Sequence, residues 1–562
     1  MEARMSSHEH VARRFAAACV AGDVASLVAV LASDVVAVCD GGGQAWAPAH
    51  PIRGAPEVAR FVTALLGCPG AVLAVESVNG RAGLALRRAG RAVGGGQREH
   101  RRGRGHRRVD SAEPGQAAWL ASSMASGWRE RSVTSTVGMP EYDITRAAGC
   151  PFDPAPAMRA RQEEGPVTRV RLWDGSTPWL VTGHAEHRAL LVDQRVSADH
   201  SRDGMPRTTQ GSATTMTEDE MKQMTEMLKD SSLPGLSFIM MDDPEHARLR
   251  RMVTAAFAVR RVEAMRPAVR RIVDSFLDRM LAGPQCSIVR SASSAKPVDL
   301  VEAFALPVPS LVICELLGVP YSDHEFFQQH SRQIINRAST AVQRIEAQTK
   351  LGEYLDALIG EKLENPGDDL LSTLAERVKA GELARREAVA MGVLMLFAGH
   401  ETTANMIALG TLALLQHPDQ LAMLRDTDDP ALAASAVEEL LRYLTITHGG
   451  LLRVALADIE LGGQTIREGE GIIVVNETAN RDSAVFADPD RLDIHRDARQ
   501  QASFGYGVHA CVGQPLARME LQVVYPALLR RIPTLRLATE LDQIPFKHDG
   551  FIYGVYELPV TW

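Results

Sequence analysis

Apolar positions divide the chain unevenly. From Met139 to Trp562 they recur at helical or alternating spacing with few breaks, whereas Gly94–Arg108 (GGGQREHRRGRGHRR) has no apolar alternation and Ser111–Gly138 has little periodicity. Within 139–562, Val167–Leu172 and Trp179–Thr182 alternate on either side of Asp174-Gly175 and predict a β-hairpin. Residues 201–235 are polar and dotted with Met216, Met221, Met224 and Met227, which predicts a mobile loop with a short helix. Beyond Pro244 the period is helical to about residue 444, with one long apolar helix from about Glu387 to Gln416. Short strands over 451–475, a glycine-rich loop and a final helix close the pattern, and Cys286–Lys296 reads as an extra surface loop. The expectation for 139–562 is a mainly α architecture with small β-sheets.

Residues 1–93 predict a separate, partial α+β unit. A helical stretch over 8–32 breaks near Gly22-Asp23, and Val35–Val38 reads as a short strand. Glu57–Leu66 is helical behind Pro56, a residue suited to a first turn. Ala71–Ser77 and Gly83–Leu86 flank Asn79-Gly80 as a hairpin. A curved sheet should need two more strands, yet residues 94–138 offer nothing strand-like and read as an Arg/Gly-rich, irregular linker.

Composition changes the picture little. The 562 residues are 45% hydrophobic and 23% charged, as in a globular protein of more than one folding unit. A net charge of −8 argues against a generally basic nucleic-acid binder. The arginines of 98–108 lack the interleaved aromatics of a single-strand binding arm and read as a solvated linker. The seven cysteines (Cys19, Cys39, Cys68, Cys150, Cys286, Cys314 and Cys511) show neither disulfide nor zinc spacing, which fits a reducing cytoplasm. No run of about 18 apolar residues predicts a membrane span.

Four constellations carry chemistry. Phe504-Gly505-Tyr506-Gly507-Val508-His509-Ala510-Cys511-Val512-Gly513 sets one cysteine in a glycine-bracketed loop just before a helix. Glycines 505, 507 and 513 permit tight turns and close approach to a flat object. The helix N-terminus stabilises a thiolate, which suits holding a haem iron by sulfur. In the long helix, Ala398-Gly399-His400-Glu401-Thr402-Thr403 places a glycine, an acid and hydroxyls where an apolar helix ordinarily has none. Glu439-Leu440-Leu441-Arg442 puts a carboxylate and a guanidinium on one helical face amid apolar neighbours. His246 and Arg250 share a face four residues apart. Singly, these read as an inert thiol, a helix kink, a surface ion pair and a solvated face.

Together, in this order and at these separations, they resemble the cytochrome P450 family over nearly all of 139–562. Phe304–Pro320 and the closing stretch from Phe546 to Trp562 look like soluble actinobacterial members. The resemblance implies a cytochrome P450 fold and a monooxygenase that inserts one oxygen atom from O2 into a lipophilic small molecule, on haem b held by Cys511. It gives Glu401 a proton relay and Thr402 the support of bound oxygen during O–O cleavage, although the family more often has Asp at the acid position. His246, Arg250, Arg453 and His509 become propionate contacts, with Arg the commoner residue at 509, and Phe504, Gly505 and Gly513 belong to the haem loop. Glu439 and Arg442 join Arg496 (Arg491 being the other candidate) as a structural brace. Electrons are expected from a ferredoxin and an NAD(P)H-dependent ferredoxin reductase, docking near Arg248, Arg251, Arg260 and Arg518. A haem sensor and a peroxide-driven enzyme are the rivals, and the intact Glu401-Thr402 pair argues against both. Residues 1–93 resemble the SnoaL-like (nuclear-transport-factor-like) domain of extracytoplasmic-function sigma factors through Ala16–Asp23 and Ile52–Ala59. Because Arg/Gly-rich text is what a GC-rich gene yields out of frame, 1–138 reads as a damaged domain fused to an intact enzyme. Deleting 1–138 is expected to leave haem content and turnover unchanged, as measured by the absorption spectrum and by product formed per haem.

Overall fold

The computed structural model describes residues 139–147, 149–208, 238–282, 297–335, 341–548 and 551–562, together with five short strands between Val36 and Ala92. The predicted loop over Cys286–Lys296, most of 201–235, the helices at 8–32 and 57–66 and the linker 94–138 lie outside the described residues.

The larger unit is organised around one helix, Arg385–Gln416. At 32 residues it is about 48 Å long. It is buried on every face from Thr403 to Leu414, which explains why its sequence is apolar all round rather than striped. Helix Pro307–Leu317 and helix Gln514–Arg531 pack directly against it. Two glycines permit this approach. A Cβ on Gly399 would lie 2.7 Å from Ile313 Cδ1, and one on Gly410 would lie 2.0 Å from the Tyr525 hydroxyl, which donates to Met406 O at 2.5 Å. A glycine inside a helix costs about 1 kcal/mol against alanine, so both positions exchange propensity for helix contact.

Helices Val259–Ala282, Ala341–Glu364, Leu370–Lys379 and Pro430–Leu444 complete the helical body. Asp369 and Asp429 start the last two by accepting the Ser372 and Ala431 N–H groups. Beside this body lies a five-stranded sheet in the order Val167–Arg169, Trp179–Val181, Gly471–Val474, Leu451–Ala455, Val196–Ser197. The predicted hairpin forms as its first two strands, shorter than expected, with Thr168 opposite Leu180. The pairing of Trp179–Val181 with Gly471–Val474 is the sheet's parallel one, across nearly 300 residues that no local pattern could link. The stretch 451–475 resolves into four strands, two of them a small separate ladder, Ile459–Leu461 with Gln464–Ile466.

In the N-terminal unit, Ala71–Val78 and Arg81–Arg88 pair with Val78 opposite Arg81, as a two-residue Asn-Gly connection requires. Val36–Ala37 forms the expected short strand, but its partner Ile52–Arg53 and the third strand Arg91–Ala92 were not anticipated.

Glu520, on helix 514–531, is buried, its Oε1 lacks a hydrogen bond, and burial pushes its pKa up from 4.5 to about 8. A folded-state pKa raised above the unfolded one contributes stability that is present at low pH and lost as pH rises through the folded value. Wild-type protein should therefore lose stability relative to Glu520→Gln as pH rises from about 4.5 to about 8. Unfolding midpoints of both proteins across that window test this; parallel curves would refute it.

Candidate functional site

The glycine-bracketed loop meets helix 514–531 at its N-terminus. The Cys511 sulfur accepts the backbone N–H groups of Gly513 and Gln514, which suits a thiolate. Cys511 is exposed to solvent, yet enclosure by protein is the largest influence on it and pushes the thiol pKa up, against those N–H groups, Arg250 and Arg518. An accessible sulfur inside a desolvating surround lies on the floor of a crevice. Gly505 and Gly507 take φ of 67° and 70°, and a Cβ on Gly507 would lie 2.1 Å from Leu191 O. Gly513 differs from the sequence expectation: its φ is −81°, so no left-handed turn requires glycine there. A Cβ at 513 would instead rest 3.8 Å from the Cys511 sulfur. Phe504 closes the loop, its carbonyl accepting Cys511 N–H at 2.9 Å and its ring lying 4.7 Å from the Arg518 guanidinium.

Next to the sulfur, the fold assembles cations. The rings of His246 and His509 stack with centroids 4.1 Å apart, and Arg250 Nη2 donates to Ala510 O at 2.5 Å. Arg453 is 8% exposed; it donates to Leu452 O and, among the described residues, forms no ion pair. Burial lowers its pKa to about 10. His509 is driven down to about 4, first by burial and then by His246 and Arg453. These surroundings disfavour the charged form of His509. The buried nitrogens His246 Nε2 and His509 Nδ1 have no partner. An uncompensated buried cation costs several kcal/mol; Asp243 Oδ1 lies 3.1 Å from His246 Nδ1 and the nearby Asp242 is engaged by Ser197, Ala198 and Arg202, so Arg453 is left without an ion-pair partner among the described residues. A donor set of this kind fits a planar group carrying two carboxylates over a thiolate, as a haem does.

The long helix supplies the acid and alcohol. Thr402 Oγ1 donates back to Ala398 O at 2.7 Å, and Thr403 Oγ1 to Gly399 O at 3.4 Å. Burial pushes the Glu401 pKa up, against the pull of Lys547, whose Nζ stands 3.7 Å from Glu401 Oε1.

The brace lies behind the loop. Glu439 and Arg442 are fully buried and bidentate: Arg442 Nε and Nη2 donate to Glu439 Oε2 and Oε1 at 2.7 and 2.9 Å. Arg442 Nη1 donates to Asn480 O and Pro489 O, each at 2.8 Å. Arg496 Nε reaches Glu439 Oε1 at 3.2 Å. Arg491 is exposed and pairs with Asp493, so the third member is Arg496.

The docking set is corrected in part. Arg248 is engaged by Glu245 and Glu387, and Arg518 by Glu438 and Gln514, which leaves Arg251 and Arg260 as its exposed members. Sequence reasoning also missed four buried residues. Arg146 pairs with Glu477 at 3.0 Å, Arg481 pairs with Asp490 at 2.9 Å, and Asn480 accepts Ala502 N–H at 2.6 Å. The polar run Asn476–Asp482 amid apolar sequence was the available signal.

Comparison with known proteins agrees with this geometry. The family model described as Cytochrome P450 matches residues 217–548. The chain is 53% identical to "Cytochrome P450 GfsF" of Streptomyces halstedii over 425 residues, 75% of this chain and 96% of that protein. The crystal structure of GfsF superposes with a TM-score of 0.67, covering 75% of this chain and all of that one. A vitamin D3 dihydroxylase of Streptomyces griseolus is 45% identical, covering 76% of this chain and 98% of its own. The mycinamicin VIII C21 methyl hydroxylase of Micromonospora griseorubida, solved with mycinamicin VIII bound, has a TM-score of 0.62 and 40% identity, covering 76% and 99%.

Breaking a buried ion pair by removing one partner costs about 3–5 kcal/mol. Glu439→Ala leaves Arg442 charged and unpaired, and we expect protein without haem and with a correspondingly lower unfolding midpoint. Normal haem content in that variant, read from its absorption spectrum, would count against the brace.

Proposed function

Because the chain belongs to the cytochrome P450 family and is a haem-dependent monooxygenase, we propose that residues 139–562 form its catalytic unit, with haem b held by the Cys511 thiolate. The observation that carries this assignment is a thiol facing two backbone N–H groups beside the cluster of His246, Arg250, Arg453 and His509, in which the buried Arg453 forms no ion pair among the described residues.

When bound, the haem supplies dioxygen activation and delivery of one oxygen atom to substrate, the other leaving as water. The chain's own residues do the rest. Gly513 and Gln514 N–H groups hold the sulfur as thiolate and fix its direction. His246, Arg250, Arg453 and His509 would receive the two propionates. Phe504 and Gly505 shape the loop that carries Cys511. Glu439, Arg442 and Arg496 hold the segment from which that loop hangs. On the long helix, Glu401 would hold and release a proton at its carboxylate, and the Thr402 hydroxyl, which donates to Ala398 O, would offer its proton where the group activates dioxygen.

The electron donor is read as a ferredoxin with an NAD(P)H-dependent reductase, and the exposed Arg251 and Arg260 remain docking candidates. The substrate is read as a lipophilic small molecule. Two relatives are named for vitamin D3 and for mycinamicin VIII. No helix among the described residues is long and apolar enough to cross a membrane, and we place the protein in the cytoplasm.

Thr402→Ala is expected to keep the haem spectrum while diverting reducing equivalents to hydrogen peroxide. The assay compares NAD(P)H consumed with peroxide and product formed, using ferredoxin and reductase, against turnover driven by added peroxide. Full coupling in the variant, or faster turnover with peroxide than with ferredoxin in the wild type, would overturn the reading.

A further inference from the structure

The acid on the long helix is not alone. Lys547 comes from the far end of the chain, where its N–H donates to Gly554 O at 2.8 Å and Phe546 bridges Val555. That closing segment is pressed against helix 385–416. A Cβ on Gly554 would lie 1.7 Å from Asn405 Oδ1, so only glycine admits the contact. Asn405 then ties the parts together. Its Nδ2 donates to Glu401 O at 2.9 Å, and its Oδ1 accepts from Lys547 Nζ at 3.1 Å. Lys547 Nζ stands 3.7 Å from Glu401 Oε1, with both side chains mostly buried.

The other titratable groups facing this pair are few. His400, on the same helix, is buried and donates from Nδ1 to Leu396 O, and burial and Lys547 hold it below its ordinary pKa. The Tyr556 ring lies 5.5 Å from Lys547 Nζ. Lys547 itself is lowered by burial and raised by Glu401. Each member of the pair is thus the other's opposing charge in a desolvated setting, where an opposite charge at this distance shifts a carboxyl by about 1–3 pH units.

We propose that Lys547 is a positioning residue for the proton relay: its ammonium, pinned by Asn405, holds the Glu401 carboxylate ionised and oriented next to Thr402. This rests on the reading of Glu401 as the relay acid. Because the closing segment also carries the residues after 551 into the sheet formed with Val298–Asp299, the charge state of the relay is tied to the seating of the C-terminal segment on the helix.

The test uses the full-length haem-loaded protein with ferredoxin, reductase and NAD(P)H and no added substrate, so that consumed O2 is divided between peroxide and water. Lys547→Met and Lys547→Gln are compared with Lys547→Arg, Glu401→Gln and Glu401→Gln/Lys547→Met. Loss of the ammonium should raise the peroxide share several-fold and move the acid limb of its pH profile up by about one unit, while Lys547→Arg stays near wild type. In the Glu401→Gln background, Lys547→Met should add nothing. A readout independent of turnover is the unfolding midpoint, for which the two substitutions should be non-additive. An unchanged peroxide share and pH profile in haem-replete Lys547→Met or Lys547→Gln overturns the proposal, as do additive midpoints. If Glu401→Gln itself leaves the peroxide share at the wild-type value, the relay reading fails and the role of Lys547 falls with it; if Glu401→Gln raises it and the Lys547 variants do not, only the latter falls.

Discussion

The buried pair Glu439–Arg442 is the interaction on which the site's geometry hangs. Neither side chain has solvent to relax into, so every polar atom of the pair must find a fixed partner. The partners found lie on one stretch of irregular chain: Asn480 O, Pro489 O, Asp493 N–H and Arg496. Asn480 passes the constraint onward, its side chain accepting Ala502 N–H and donating to Ser503 Oγ, which in turn donates to Leu441 O. The cysteine loop begins at the next residue. An ion pair inside a helix thus bears on where a loop more than sixty residues later starts, and the loop sets where the sulfur points.

The two sides of the site solve opposite electrostatic problems. Around Cys511 the fold gathers basic side chains and N–H donors, and the buried Arg453 among them has no ion-pair partner among the described residues, an arrangement that costs free energy until an anionic group arrives. Around Glu401 it does the reverse, supplying one lysine to one acid in a setting dry enough for each to feel the other strongly. The first arrangement favours a bound prosthetic group over an empty crevice. The second sets the lysine against the upward push that burial gives the acid, so that the acid keeps a charged partner with which to exchange protons.

Where local pattern decides structure, the sequence was legible. Helix 385–416 begins two residues from its expected start, and the Ala71–Val78 and Arg81–Arg88 hairpin follows from Asn79-Gly80. The motif residues did not need long-range information either, because each motif is short: His246 with Arg250, Glu439 with Arg442, Glu401 with Thr402, and the loop around Cys511. What failed was whatever depended on a partner remote in sequence. Glycine at 513 looked like a turn residue because its neighbours at 505 and 507 are, yet its φ is ordinary. Arg248 and Arg518 looked available for a partner protein, but Glu387 and Glu438 claim them across 139 and 80 residues.

The sequence by itself determined the family and the helix-rich architecture, and it singled out the candidates for sulfur ligand, relay and brace, since these are written in residue type and short spacing. Tertiary structure alone decided three things: that Arg496 rather than Arg491 reaches Glu439, that His246, Arg250, Arg453 and His509 gather in one cluster, and that Lys547 reaches Glu401. The physical reason is the same in each case. A charge's effect depends on its distance to other charges and on how much water remains around it, and both are settled only when segments far apart in the chain are packed together.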